Sequence, residues 1–157
     1  MLRIVKAWRL GLFAAAVLVS ASVVGAQQKP DFTGTWVVVS PAEAAGQEQV
    51  VRHTATTLST GHESTGDGHN AAYKLDGSES RNELTSHGQA IVTISKAVWD
   101  ANTVVITIAT TYPDGRKLDS KQTWSMDEAG RLVIEHSQTM TGQPARSGTV
   151  VHTRKVK

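Results

Sequence analysis

Histidine and acidic residues gather in one stretch of the chain: His53, His62, His69 and His87, with Glu63 and Asp67 between them. A helical zinc site needs His-Glu-x-x-His, so that both imidazoles share one face. Here Gly66 stands where the second histidine belongs. Gly61, Gly66 and Gly68, set among Ser, Thr and Asp, mark 61–70 as loop rather than helix. No metal site is therefore expected. Nucleophilic chemistry has less to build on, with no cysteine and no Gly-x-Ser-x-Gly elbow. No catalytic residue and no cofactor are expected, and an enzyme is the least favoured class.

A second set of residues draws attention by where it falls. From Arg116 to Met126 the residues alternate. Lys117, Asp119, Lys121, Thr123 and Ser125 take one face, which must meet solvent. Leu118, Ser120, Gln122, Trp124 and Met126 take the other and point inward. On the following run Leu132, Ile134, His136, Gln138 and Met140 share a face, and on Thr103–Tyr112 so do Val104, Ile106, Ile108, Thr110 and Tyr112. Polar Ser120, Gln122, His136 and Gln138 thus sit where a core belongs. Unpaired, each would cost about 1–3 kcal/mol. Two arrangements avoid that: a mutually hydrogen-bonded network in a packed barrel, or a wet cavity that takes a ligand.

The elements that would position these residues are strands. Phe32–Val39 is a β-branched run behind a glycine and reads as the first. Residues 41–49 read as a linker with one helical turn, and 50–60 as one Thr- and Val-rich strand. Ala71–Leu75 and Ser78–Leu84 flank Asp76-Gly77, a strong hairpin signal. Runs at 91–99, 103–112, 116–126, 131–140 and 147–156 follow, separated by Asp/Asn- and Gly-bearing turns. The expectation is an all-β antiparallel up-and-down meander of about 8–9 strands, closed into a small barrel because closure removes exposed edges.

One run conflicts with simple burial. If Trp99 points inward like Trp124, then Val92, Ile94 and Val98 point outward. The N-terminal linker or a partner protein is expected to cover them. Ser95–Trp99 and Ser120–Trp124 also repeat the pattern Ser-Lys-x-x-Trp, which sets both tryptophans at the same end of the sheet.

Phe32-Thr33-Gly34-Thr35-Trp36 resembles the opening strand of the calycin superfamily, and the chain is similar to small exported lipocalin-like proteins of bacteria. The resemblance implies a barrel in which Gly34 and Trp36 close one end. It also implies a basic residue of the last strand, Arg154 or alternatively Lys155, packed over the Trp36 ring. A Thr-Asp-x-x-Tyr stretch common in lipocalins is missing, and aromatic residues make up only 5% of the chain.

The N-terminus reads as a signal peptide over 1–26. Arg3, Lys6 and Arg9 precede the apolar run Leu10–Val19, and Val24-Gly25-Ala26 offers small residues for cleavage near Ala26. The expected location is periplasmic or secreted, with no stable membrane anchor after cleavage. Residues 27–157 would form the single domain. The leader carries three of the 16 bases and none of the 14 acids, leaving 13 against 14. That balance gives no argument for nucleic-acid binding.

Two functions remain in front. One is a module that buries a small apolar or amphipathic molecule against Ile106, Ile108, Trp124 and Ile134, oriented by Ser120, Gln122, His136 and Gln138. The other is a packed envelope-accessory or protein-interaction barrel, meeting its partner at Val92, Ile94 and Val98.

Overall fold

The computed structural model describes residues 29–61, 70–86 and 88–156. The expected signal peptide and most of the 61–70 loop, with His62, His69 and His87, lie outside them. Ten strands form one antiparallel sheet. They are β1 (Gly34–Ser40), β2 (Glu48–His53), β3 (Thr57–Gly61), β4 (Ala71–Lys74) and β5 (Ser80–Ser86). They continue as β6 (Gln89–Asp100), β7 (Thr103–Thr111), β8 (Lys117–Met126), β9 (Leu132–Met140) and β10 (Arg146–Arg154). The sheet order is β4-β3-β2-β1-β10-β9-β8-β7-β6-β5, so the last strand returns to the first and the meander curls into a nearly closed barrel. One 3₁₀ turn, Ala42–Ala44, crosses between β1 and β2.

Ten strands replace the expected 8–9 because 50–60 is a hairpin. Its turn carries no Gly, Pro, Asn or Asp. The Thr54 hydroxyl instead accepts the Thr56 and Thr57 N–H groups at 3.3 and 3.0 Å, and the Thr54 N–H donates to the Thr57 carbonyl at 2.9 Å. β-Branched residues that read as strand thus make the bend.

The hairpin expected at Asp76-Gly77 is also different. β4 and β5 are the two ends of the sheet order and share no backbone ladder. Side chains of β5 close the seam instead. Asn82 Oδ1 accepts the Ala72 N–H at 2.8 Å and its Nδ2 donates to the Ala72 carbonyl at 3.1 Å, so the amide stands in for a peptide group. The Ser80 hydroxyl accepts the Lys74 N–H at 2.9 Å. Asp76 meanwhile bridges to Val98, and the Gly77 N–H donates to the Ala97 carbonyl at 2.9 Å.

The other turns follow their sequence signals. Asp114 accepts the Arg116 N–H, and Asp127 accepts those of Ala129 and Arg131. The backbone hydrogen bonds from Arg116 and Arg131, then those arginine side chains, hold the two carboxyls below the usual carboxylate range.

Strand alternation sorts the two faces. Trp99, Val104, Trp124 and Ile134 occupy one cross-strand row on the inner face of β6–β9, so the two repeat tryptophans flank Val104. Around them Phe32, Trp36, Val51, Leu58, Ile106 and Leu132 are almost wholly buried. Each such side chain contributes about 1.5–3 kcal/mol. Phe32 stacks on Trp99 at 6.0 Å and meets Trp124 edge-on at 6.1 Å. The opposite parity of β6 sends Val92, Ile94 and Val98 outward. Val98 is 43% exposed, and the other two are half-buried.

Candidate functional site

Arg154 lies over the Trp36 ring at 4.4 Å, while the Trp36 indole N–H donates to the Phe32 carbonyl at 2.8 Å. Lys155, the alternative, instead reaches the Glu48 carboxylate at 2.7 Å. Gly34 has φ +149°, and a Cβ there would come within 2.5 Å of Arg154 Nη1. Only glycine lets the guanidinium settle against the backbone and hydrogen-bond the Thr33 carbonyl. These three residues wall the aromatic end, where the Trp36 side chain is fully buried.

The space lies further along the same strands. A half-open interior cavity of about 270 Å³ is lined by Gln122 and Trp124 of β8, Ile134 and His136 of β9, and Val150 and His152 of β10. Val38 of β1 and Glu48 and Gln49 of β2 complete it, with Ala44 and Gln47 of the β1–β2 connection. The walls are therefore Trp124, Ile134, Val38 and Val150, with polar groups set between them.

Each polar group is held differently. Gln122 Oε1 accepts the Trp124 indole N–H at 2.9 Å, which orients the amide and leaves its N–H₂ over. The His136 ring lies across Gly148, its partner on β10, where a Cβ would meet Cε1 at 2.9 Å. His152 is 4% exposed and faces Leu132 and Val38 in register. Its Nδ1 is buried with no hydrogen-bond partner. Burial pushes the imidazole below its ordinary pKa, opposed by a hydrogen bond with the Leu132 backbone.

Of the eight residues read from the sequence as ligand contacts, the structure brings Gln122, Trp124, Ile134 and His136 together at this cavity. Ile106 sits beside Gln122 in register but is fully buried in the core. Ile108, Ser120 and Gln138 form the next row outward, where Gln138 is exposed, and do not line the cavity. Their parity is inward, but their level on the strand is past the space.

His152, Val150, Val38 and Gln49 were missed. The signal for two of them was present: if Arg154 packs over the Trp36 ring, period-two alternation puts His152 and Val150 on that same inner face. Among the described residues no cluster of three metal-ligating side chains occurs.

No family model matches the chain, and no curated protein matches it. Among solved structures it is similar to a luciferase domain from the dinoflagellate Lingulodinium polyedrum, with a TM-score of 0.51 at 8% identity. The match covers 81% of this chain and 44% of that one, so the chain spans less than half the luciferase domain's length. The likeness is one of fold: an antiparallel β-barrel.

Proposed function

We propose that this chain is a lipocalin-like binding module that holds a compact, partly apolar molecule inside its barrel. The observation that carries the reading is the interior cavity of about 270 Å³, whose apolar walls are joined by polar Gln122 and His136. Ligand sites combine these features, mostly apolar lining with a few convergent polar groups, at volumes of roughly 300–1,000 Å³. At about 270 Å³ the cavity falls just below that range and suits a compact ligand. The arrangement of Gly34, Trp36 and Arg154 supports the calycin part of the reading, since lipocalins close one barrel end in this way. Export as a mature chain from about residue 27, to the periplasm or beyond, completes it.

Native mass spectrometry of the protein purified from the cells that make it tests the binding reading. A co-purifying small molecule supports it. A clean apo mass, together with no binding of an apolar probe dye, counts against it. Intact mass also checks the leader, since cleavage near Ala26 removes the first 26 residues.

A second reading is a packed interaction barrel with no ligand. One observation favours it, the outward stripe of Val92, Ile94 and Val98, with Val98 43% exposed. Under this reading a Val98→Lys change would abolish partner binding and leave the cavity's behaviour unaltered.

A further inference from the structure

We propose that the cavity selects a compact, neutral molecule whose apolar body carries a carbonyl-class oxygen, and that the Gln122 amide is the group that reads that oxygen. This inference rests on the binding-module reading and specifies its ligand.

The Trp124 indole decides what Gln122 can offer. An indole N–H only donates, and Trp124 is 1% exposed, so the group needs an acceptor from within the protein. Gln122 Oε1 supplies it at 2.9 Å. Turning the amide over would set its N–H₂ against the indole N–H and leave that buried donor unpaired, which is costly. The amide is therefore held in one sense, with its oxygen committed and its N–H₂ turned away from the indole. No described group accepts from that N–H₂, and it is not sealed from solvent. Gln122 lines the cavity. A donor that is fixed, unpaired and accessible calls for an acceptor.

Register says where on the ligand that acceptor belongs. Gln122 stands opposite His136, and Trp124 stands opposite Ile134, one inward row along the same two strands. Successive inward rows are about 6.6 Å apart. The glutamine side chain bends back to the indole, so its amide lies at the margin of the apolar Trp124–Ile134 row. An oxygen borne directly on an apolar body meets both without a spacer.

Charge and size narrow the class. Among the described residues no lysine or arginine lines the cavity, and its one carboxylate, Glu48, is engaged by Lys155 at 2.7 and 2.8 Å. Taking an ion from water without a counter-charge is costly. At ~30 Å³ per water, 270 Å³ holds the equivalent of about nine waters, which suits a single substituted ring.

Acetophenone and α-methylstyrene test this directly, since they differ only in C=O against C=CH₂. An apolar pocket alone favours the alkene, which has less hydration to lose. In titrations of the purified protein at about pH 8, above the ordinary histidine pKa, acetophenone is expected to bind at least as tightly as α-methylstyrene and more tightly than benzoate. Gln122→Glu keeps an oxygen for the indole and puts a second oxygen where the donor stood. In that variant the preference for acetophenone over α-methylstyrene is expected to fall at least about tenfold. Because the variant changes a half-buried position, a measurement on the unaltered protein stands beside it. A nuclear Overhauser contact is expected between the Gln122 amide protons and the acetyl methyl group of bound acetophenone. Tighter binding of α-methylstyrene or benzoate, a preference unchanged in Gln122→Glu, or no such contact would overturn this inference. Those outcomes leave the cavity-binding reading standing. Failure of all three probes to bind at about 1 mM would overturn both.

Discussion

At one end of the barrel the inner face is Phe32, Trp36, Trp99 and Trp124, packed on Val51, Leu58 and Leu132. A few residues along the same strands the inner face is Gln122 and His136, then Ser120 and Gln138. Both regions come from strands of the same kind, in the same register, with the same alternation. The difference is that the aromatic end is filled by its own side chains, whereas the polar region lines a cavity; a buried imidazole nitrogen without a hydrogen-bond partner occurs in both His53, packed on Phe32 and Trp99, and His152. The first is what a barrel needs to close. The second is unnecessary for closure and is the place of the proposed ligand.

Substitutions can break or sharpen that contrast. Trp36→Ala at the aromatic end should destabilise the protein by about 3–5 kcal/mol, through lost burial and a large cavity. Denaturant unfolding measures it. An effect below about 1 kcal/mol would mean that this end does not carry the fold.

Asn82→Ala strikes the seam, where a side-chain amide replaces a strand ladder. It leaves the Ala72 N–H and carbonyl without those partners, at an expected cost of about 1–3 kcal/mol. Faster amide exchange in β4 and β5 than in β7 and β8 should accompany it.

The next contrast is in pH. The folded chain holds His152 below its ordinary pKa, so the unfolded chain binds the proton more readily. Stability is then complete above the unfolded histidine value of about 6.5 and falls as pH drops below it. The loss levels off at the folded pKa. Urea midpoints at about pH 7.5 and about pH 5.5 should differ more in the unaltered protein than in His152→Phe. His136 and Glu48, the other ionisable groups of the cavity, are common to both proteins.

The smallest effect belongs to the polar end. Gln138 is exposed, and Gln138→Ala should change stability by no more than about 0.5 kcal/mol. A larger loss would place Gln138 in the core rather than beyond it.

The legibility of the chain follows the same division between local and distant causes. Turns at Asp114 and Asp127 were readable because each aspartate fixes its own bend through neighbours within four residues. The turn at Thr54 was not, because its hydroxyl does an aspartate's work among residues that favour strands. The Asp76-Gly77 turn was read correctly as a bend and wrongly as a hairpin. Where its flanks pair depends on β6, which lies later in the chain. Inward parity for Gln122, Trp124, Ile134 and His136 was also legible. Their level relative to the cavity was not, since it depends on how the β1–β2 connection meets β10. Ile108, Ser120 and Gln138 share their parity and miss the space for that reason.

The most direct test of the account is residue-resolved chemical-shift mapping while an apolar probe dye is titrated in. The account predicts shifts at Trp124, Ile134, His136 and His152, with Phe32 and Trp36 unmoved. Shifts confined to Val92, Ile94 and Val98, or no shifts anywhere, would contradict it.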